Sequence, residues 1–141
     1  KVAVAQAKLA YQLFRKIFSG PRWDGLEARG ARVQPPLWAS TSTKNPAYPK
    51  TLYVDTLIAP DTVNTMPEAT LDAFEATGTV TRTADADLEG AHGVIDQLAA
   101  VGIDLEAVTV QLEADGVASF SKAFDELIGS LRAKADGTGG S

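Results

Sequence analysis

The sequence predicts an α/β protein that forms the trailing end of a larger parallel sheet or barrel. Between residues 37 and 78, short apolar or β-branched stretches alternate with helical patterns, as in parallel strands joined by right-handed crossovers. Two short parallel strands cannot cover their own faces, and parallel sheets normally lie inside many-stranded folds. We therefore expect this chain to be incomplete without strands that it does not itself encode.

The first predicted element is a helix. Apolar residues recur every four positions from Ala5 to Ile17, which is the spacing of one helix face. Lys1 stands inside this periodic pattern with no turn or cap before it, so a fragment of a longer protein is the expectation. The Ser-Gly-Pro segment at 19–21 ends the helix, and a second short helix is predicted over 23–29.

The middle of the chain carries the alternation of strands and helices. We expect a strand at 37–40, a polar loop at 41–49, a helix at 50–59, a strand at 62–66 and a helix that ends at Gly78. Thr65 and Glu68 have the spacing of a capping box at the start of that last helix. The order strand, loop, helix, strand, helix predicts a parallel pair of strands.

A different pattern follows this part of the chain. Residues 79–134 contain three amphipathic helical patterns, at 88–98, at 105–112 after an Asp104 cap, and at 117–131. Such helices are suited to packing on the outside or the end of an α/β body. Residues 135–141 are rich in Gly and predict a flexible tail.

Composition excludes several classes of function. The 141 residues include 13 basic and 18 acidic side chains, and the net charge of -5 argues against a nucleic-acid or anionic-membrane partner. Without Cys and with His92 as the only histidine, we expect no metal site. No apolar run approaches the roughly 20 residues of a membrane span, and a cytoplasmic location is the expectation.

The strongest candidate for chemistry is the loop that follows the first predicted strand. Ligands bind at the carboxyl ends of parallel strands, and the hydroxyls from Ser40 to Thr43, the Lys44 ammonium and the loop amides could cradle a phosphate. The alternative is a polar surface loop with a solvated lysine, which composition alone favours. Asn64 and Thr65 end the second predicted strand and would lie at the same carboxyl edge of the strands, although helix capping explains Thr65 without a ligand.

Two segments of the sequence resemble the transaldolase family in its actinobacterial form. They are LWASTSTKNPAY at 37–48 and TVNTMPEATL at 62–71. The resemblance implies a (β/α)8 TIM barrel, with residues 1–78 as its final βα units, 79–134 as a C-terminal helical segment packed on the barrel, and 135–141 as the tail. It also implies that the fold is incomplete without the N-terminal half of the enzyme.

The resemblance further implies an activity. Transaldolases transfer a dihydroxyacetone unit between sedoheptulose 7-phosphate and glyceraldehyde 3-phosphate through a lysine Schiff base, without a cofactor, in the pentose phosphate pathway. Ser40 matches the family's phosphate-binding serine, and Lys44 matches a basic position where other branches have Arg.

The family's catalytic residues have no counterpart here, so we expect no catalytic residue in this chain and no activity from it alone. The expected partners are sugar phosphates and the N-terminal half of the same enzyme. Two alternatives stay open: a non-catalytic α/β interaction module, and the tail of another phosphate-binding barrel enzyme.

Overall fold

The computed structural model describes residues 1–138 and is mostly helical. In chain order, the elements are α1 (Val2–Ile17), α2 (Gly20–Glu27), β1 (Leu37–Trp38), α3 (Leu52–Asp55), β2 (Val63–Asn64), α4 (Glu68–Thr77), α5 (Leu88–Ala100) and α6 (Leu105–Thr138). By its internal contacts the chain divides into two compact units, Lys1–Gln97 and the residues from Leu98 onward. The candidate loop lies in the first unit.

The two strands pair in parallel, which confirms that part of the prediction. Leu37 lies opposite Val63 and Trp38 lies opposite Asn64, and the Thr65 amide donates a 3.0 Å hydrogen bond to the Trp38 carbonyl oxygen. Each strand has two residues, fewer than predicted. Two prolines precede β1 and cannot donate ladder hydrogen bonds, which limits its length on that side.

A small core holds the first unit together. The phenol of Tyr11 on α1 is 2% exposed, and its hydroxyl donates a 3.1 Å hydrogen bond to the Pro60 carbonyl oxygen. The Trp38 indole donates in the same way to the Leu57 carbonyl oxygen at 3.0 Å. The buried apolar residues are Ala5, Tyr11, Trp23, Val54, Leu57, Ala84 and Ala91.

An irregular segment at 79–87, after α4, is hydrogen-bonded to the end of α3 and to the residues that follow it. The Ile58 carbonyl oxygen accepts hydrogen bonds from the amides of Thr83 and Ala84 at 2.8 and 3.0 Å, and Ala84 is fully buried. The Thr83 hydroxyl donates to the Asp55 carbonyl oxygen at 2.7 Å, and the Asp55 carboxylate accepts from the Thr79 amide at 2.9 Å. These bonds satisfy backbone groups that no helix or strand satisfies.

The same segment is joined to α1 by charge. The single Nε–H of Arg82 lies 2.9 and 3.0 Å from the two Asp85 carboxylate oxygens, and Arg82 Nη2 donates to the same carboxylate. Asp85 also forms an ion pair with Arg15 of α1 at 3.3 Å. The Lys8 ammonium of α1 also donates to the Ala86 carbonyl oxygen at 2.8 Å. α1 is therefore held by polar contacts as well as by its buried face.

Two local predictions for the middle of the chain were wrong. The helix predicted over 50–59 is only the single turn α3. The residue that caps α4 is Pro67, with no side-chain capping bond, so the capping box predicted at Thr65 does not form. In a capping box the Glu68 side chain would accept the Thr65 amide, but pairing with β1 directs that amide to the Trp38 carbonyl oxygen, and the Thr65 hydroxyl lies 3.4 Å from the same oxygen.

The second unit contains one long helix where two helices and a tail were predicted. α6 is 34 residues long and passes through Gly116 without a break. Its start is capped as predicted, because the Asp104 carboxylate accepts the amides of Glu106 and Ala107 at 3.0 and 3.1 Å. Residues 135–138 belong to this helix rather than to a flexible tail, and the rest of the predicted tail, 139–141, lies outside the described residues.

Most large apolar side chains of α6 are exposed, and Phe120 is 82% exposed. The others are Val108, Val110, Leu112, Val117, Phe124, Leu127 and Leu131. Over 117–131 the apolar residues follow steps of three and four, which place them on one face of the helix. Across residues 1–138, no helix has both the length and the apolar character needed to cross a bilayer.

Candidate functional site

Ser40 lies two residues after β1 in an unusual backbone conformation. Its φ is 58°, in the left-handed region that residues other than Gly rarely adopt. Its side chain is exposed, and its hydroxyl forms no hydrogen bond with any residue in the described range 1–138. Strained residues of this kind persist only where the surroundings hold them, and they cluster at functional sites.

Thr41 joins the ends of the two strands. It is 3% exposed, and its hydroxyl donates a 2.8 Å hydrogen bond to Oδ1 of Asn64, the last residue of β2. The Thr65 carbonyl oxygen lies 3.3 Å from the same hydroxyl. The structure thus brings the carboxyl ends of β1 and β2 together at one edge, which is where parallel sheets bind ligands.

The rest of the loop is ordered by local hydrogen bonds. The Thr43 hydroxyl donates to the Pro49 carbonyl oxygen at 3.2 Å, and the Asn45 side chain accepts from the Ala47 amide at 2.9 Å. The second contact is an Asx turn, which orders a loop without a helix or strand. These contacts order the loop that contains Lys44.

Lys44 is exposed and forms no ion pair or hydrogen bond within residues 1–138. Its charge is therefore available to an external anion. The helix expected at 50–59 would have added positive potential at its N-terminus, after this loop. α3 has only four residues, so it cannot supply the dipole of a regular helix.

A cleft of about 310 Å³ adjoins the end of β1. Ser40 and Thr41 line it together with Trp38 and Tyr53, whereas Lys44 is not among the lining residues. Ser40 therefore belongs to the wall of a recess, and Lys44 stands outside it on the loop. The other lining residues are apolar, so the recess offers hydroxyl groups from Ser40, Thr41 and Tyr53 but no general acid/base pair.

No other cluster in the described part of the chain has the character of a catalytic centre. The pKa of Asp85 is lowered mainly by the hydrogen bond from Arg82, which marks an ion pair that ties a surface segment to α1. Within residues 1–138 no group of three or more carboxylate or imidazole side chains is placed to hold a metal ion.

The sequence predicted that Asn64 lies at the carboxyl edge of the two strands, but it did not predict the bond to Thr41. The alternation of strand residues could not reveal this contact, because Thr41 lies beyond the end of β1 and follows the left-handed Ser40. Only the pairing register and the turn at Ser40 bring the two side chains within 2.8 Å.

Comparison with known proteins gives a consistent result. Residues 1–131 match the Transaldolase/Fructose-6-phosphate aldolase family. A transaldolase of Parafrankia sp. is 51% identical over 133 residues, which are 94% of this chain and 36% of that protein. Transaldolases of Frankia alni and Mycolicibacterium smegmatis are 50% and 47% identical, over 93% and 96% of this chain.

The chain thus spans little more than a third of the length of these relatives. The match nevertheless includes both β1 and β2, the loop between them and most of α6. Because the family match extends over nearly the whole sequence, this chain belongs to the Transaldolase/Fructose-6-phosphate aldolase family.

Proposed function

We propose that this chain is the phosphate-binding C-terminal part of a transaldolase. The complete enzyme transfers a dihydroxyacetone unit from sedoheptulose 7-phosphate to glyceraldehyde 3-phosphate in the pentose phosphate pathway, in the cytoplasm. The observation that carries the proposal is Ser40: an open hydroxyl on a strained residue at the carboxyl end of β1, in a chain about half identical to transaldolases.

Ser40 and Lys44 share the binding of the phosphate group in this proposal. The Ser40 hydroxyl donates a hydrogen bond to a phosphate oxygen, and such bonds to charged acceptors are stronger than neutral ones. The Lys44 ammonium adds an opposite charge from the same loop. Lys presents a compact charge rather than the two-pronged fork of Arg, so it attracts the phosphate without fixing its orientation.

We also propose that β1 and β2 are the last two strands of a (β/α)8 barrel. The exposed apolar residues of the strands support this proposal, since Leu37 is 54% and Val63 is 46% exposed. Leu13 and Ile17 on α1 are likewise about half exposed. A closed barrel would cover the free edges of the two-stranded pair and these side chains.

The partner that covers them is, in this proposal, the N-terminal half of the same enzyme. The apolar face of α6 over 117–131 supports a further contact with that partner, because a helix normally buries such a face. A contiguous exposed apolar patch usually marks an interaction surface.

The Schiff-base lysine would come from the partner and not from this chain. Within residues 1–138 no lysine lies in β1 or β2, where apolar surroundings could lower the pKa of an amine. Lys8 is occupied with the Ala86 carbonyl oxygen, and Lys44 is exposed on the loop. We therefore expect the isolated chain to bind phosphate without catalysing transfer.

Borohydride trapping with fructose 6-phosphate tests the proposal. The chain is incubated with the sugar and reductant alone, and again after assembly with the complementary segment of the Parafrankia sp. transaldolase. Intact-mass measurement is expected to find no adduct on this chain in either case and a reduced sugar adduct on the complementary segment. A trapped adduct on any lysine of this chain, or no adduct anywhere after assembly, would contradict the proposal.

A further inference from the structure

The side-chain oxygen of Asn64 is hydrogen-bonded within the chain, whereas its side-chain nitrogen is available to a ligand. Its Oδ1 accepts the 2.8 Å hydrogen bond from Thr41, so its Nδ2 amide group lies on the other branch of the side chain. Within residues 1–138 that amide donates no hydrogen bond, although Asn64 is half-buried. The described residues include no buried side-chain nitrogen or oxygen without a partner, so this amide is accessible to solvent and open to an acceptor that arrives with a ligand.

Thr41 has the properties of a residue that orients this amide. At 3% exposure it is among the few polar residues buried in the first unit, and its hydroxyl is the only polar atom of its side chain. Because the Thr41 hydroxyl donates to Oδ1 of Asn64, Nδ2 is the carboxamide atom that faces away from Thr41. The resulting direction of Nδ2 is set before any ligand binds.

The two strands bring this donor to the edge where Ser40 lies. Asn64 ends β2, Ser40 follows the end of β1, and Thr41 is the residue that connects them. We propose that Asn64 is a further phosphate-binding residue, whose Nδ2 donates to a phosphate oxygen of the sugar phosphate, and that Thr41 is its positioning residue. This proposal rests on the proposed function, because it assumes the same ligand at the same edge.

The chemistry distinguishes an amide from a carboxylate at this position. Asn64→Asp preserves the shape but replaces the donor with a negative charge, which repels phosphate. Asn64→Ala removes the donor only. We expect the dissociation constant of fructose 6-phosphate to rise about tenfold for Asn64→Ala and further for Asn64→Asp, while binding of unphosphorylated fructose stays unchanged.

Thr41 is tested by a readout that a merely structural residue would not move. Thr41→Val keeps the branched shape and loses the hydroxyl, and we expect the ratio of fructose 6-phosphate affinity to fructose affinity to fall severalfold. Thr41→Ser restores the hydroxyl and should restore the ratio. In the Asn64→Ala background, Thr41→Val should have no further effect, because its action passes through Asn64.

Thr62→Val is the matched control. Thr62 lies just before β2, and its hydroxyl donates to the Ala59 carbonyl oxygen at 2.8 Å rather than to Asn64 or the loop. This variant should leave the affinity ratio unchanged. Circular dichroism checks that each variant is folded, and if Thr41→Val does not fold, the Asn64 variants on the surface edge still decide the proposal.

Calorimetry is performed on the assembled enzyme described above. If the unmodified assembly binds fructose 6-phosphate no better than fructose, both proposals fall. If it discriminates and Ser40→Ala weakens that discrimination, but Asn64→Asp binds the phosphorylated sugar as tightly as the unmodified chain, only the inference on Asn64 and Thr41 is overturned. Additive effects of Thr41→Val and Asn64→Ala would overturn the positioning role alone.

Discussion

The Tyr11 hydroxyl donates a 3.1 Å hydrogen bond to the carbonyl oxygen of Pro60, 49 positions later in the sequence. This contact joins the first helix to the turn that precedes β2, and Tyr11 is almost wholly buried beside it. Together with the Lys8–Ala86 and Arg15–Asp85 contacts, it fixes α1 against later residues of the first unit.

The first prediction concerns this contact. Tyr11→Phe keeps the ring and removes the donor, leaving the Pro60 carbonyl without its partner. We expect the free energy of unfolding to fall by about 1 kcal/mol, as is typical for a partly buried hydrogen bond. Urea denaturation of the chain measures it, with Tyr48→Phe as the control because Tyr48 is 52% exposed. Equal effects of the two variants would contradict the role assigned to the bond.

The second prediction concerns pH. The hydrogen bond from Arg82 lowers the pKa of Asp85 below its ordinary value of 3.8, with further attraction from the Arg82 and Arg15 charges. A carboxylate with a lowered pKa stabilises the folded chain above its unfolded pKa, and this stability is lost as the pH falls through the folded pKa.

Asp85→Asn should therefore reduce the free energy of unfolding at pH 6 and lose this effect progressively below about pH 3.8. Urea denaturation at several pH values gives the profile. Asp96→Asn serves as control, since Asp96 is exposed on α5 and has no ion pair within residues 1–138. A difference between Asp85→Asn and the unmodified chain that stays constant down to pH 2.5 would refute the assignment.

The third prediction separates strain from binding at Ser40. Ser40→Gly removes the side chain that disfavours a φ of 58°, so stability should rise by up to about 1 kcal/mol. The same change removes the hydroxyl, so the affinity for fructose 6-phosphate should fall. Asp61→Gly is the matched control, because Asp61 has a φ of 57° but lies outside the candidate loop. It should gain stability without losing affinity.

Ser40→Ala completes this comparison. It loses the hydroxyl and keeps the strained Cβ, so it should weaken phosphate binding with no gain in stability. Calorimetry and urea denaturation of the assembled enzyme give the two quantities. If the Gly and Ala variants both bind as tightly as the unmodified chain, Ser40 does not contact the phosphate.

The fourth prediction concerns the charge on the loop. Lys44→Ala should raise the dissociation constant of fructose 6-phosphate about tenfold at low salt, and the difference should shrink as salt is added. Lys44→Arg should retain most of the affinity. Lys50→Ala is the control, because Lys50 is exposed on the same connection. Equal losses for Lys44→Ala and Lys50→Ala would indicate general charge attraction rather than a specific contact.

The fifth prediction concerns the apolar face of α6. Phe120→Asp places a charge at the most exposed side chain of that face, so it should abolish assembly with the complementary segment, as measured by analytical ultracentrifugation. Ala118→Asp adds the same charge on the opposite side of the helix and should leave assembly intact. If both variants assemble like the unmodified chain, α6 does not contact the partner.

Sequence periodicity predicted the elements that local residues determine. The apolar spacing from Ala5 to Ile17 and the Ser-Gly-Pro stop agree with the extent of α1, and the alternation after residue 37 gave the parallel pair. The expected division into separate helices at 105–112 and 117–131 was wrong, because one helix runs through Gly116. One glycine costs a helix only about 1 kcal/mol, and the strong helix formers on both sides of Gly116 outweigh it.

The details of the candidate site could be predicted only in part. Ser40 and Lys44 were identified from a resemblance and from residue type, and their role in binding stays a prediction. The Thr41–Asn64 bond joins residues 23 positions apart, and it follows directly on the left-handed backbone of Ser40. No local pattern specifies such a contact, because the register of the two strands creates it.

The Ile58 carbonyl oxygen accepts two amides, and this limits where residues can be inserted into the chain. The segment at 79–87 has no helix or strand, yet its backbone is anchored at Thr83 and Ala84. Insertions there would shift the anchored peptides and separate α1 from Asp85. Within residues 1–138, the hydrogen bonds of the surface turn at 45–48 are short-range ones. An insertion in this turn should therefore leave the Ile58 anchor and the Arg15–Asp85 ion pair in place.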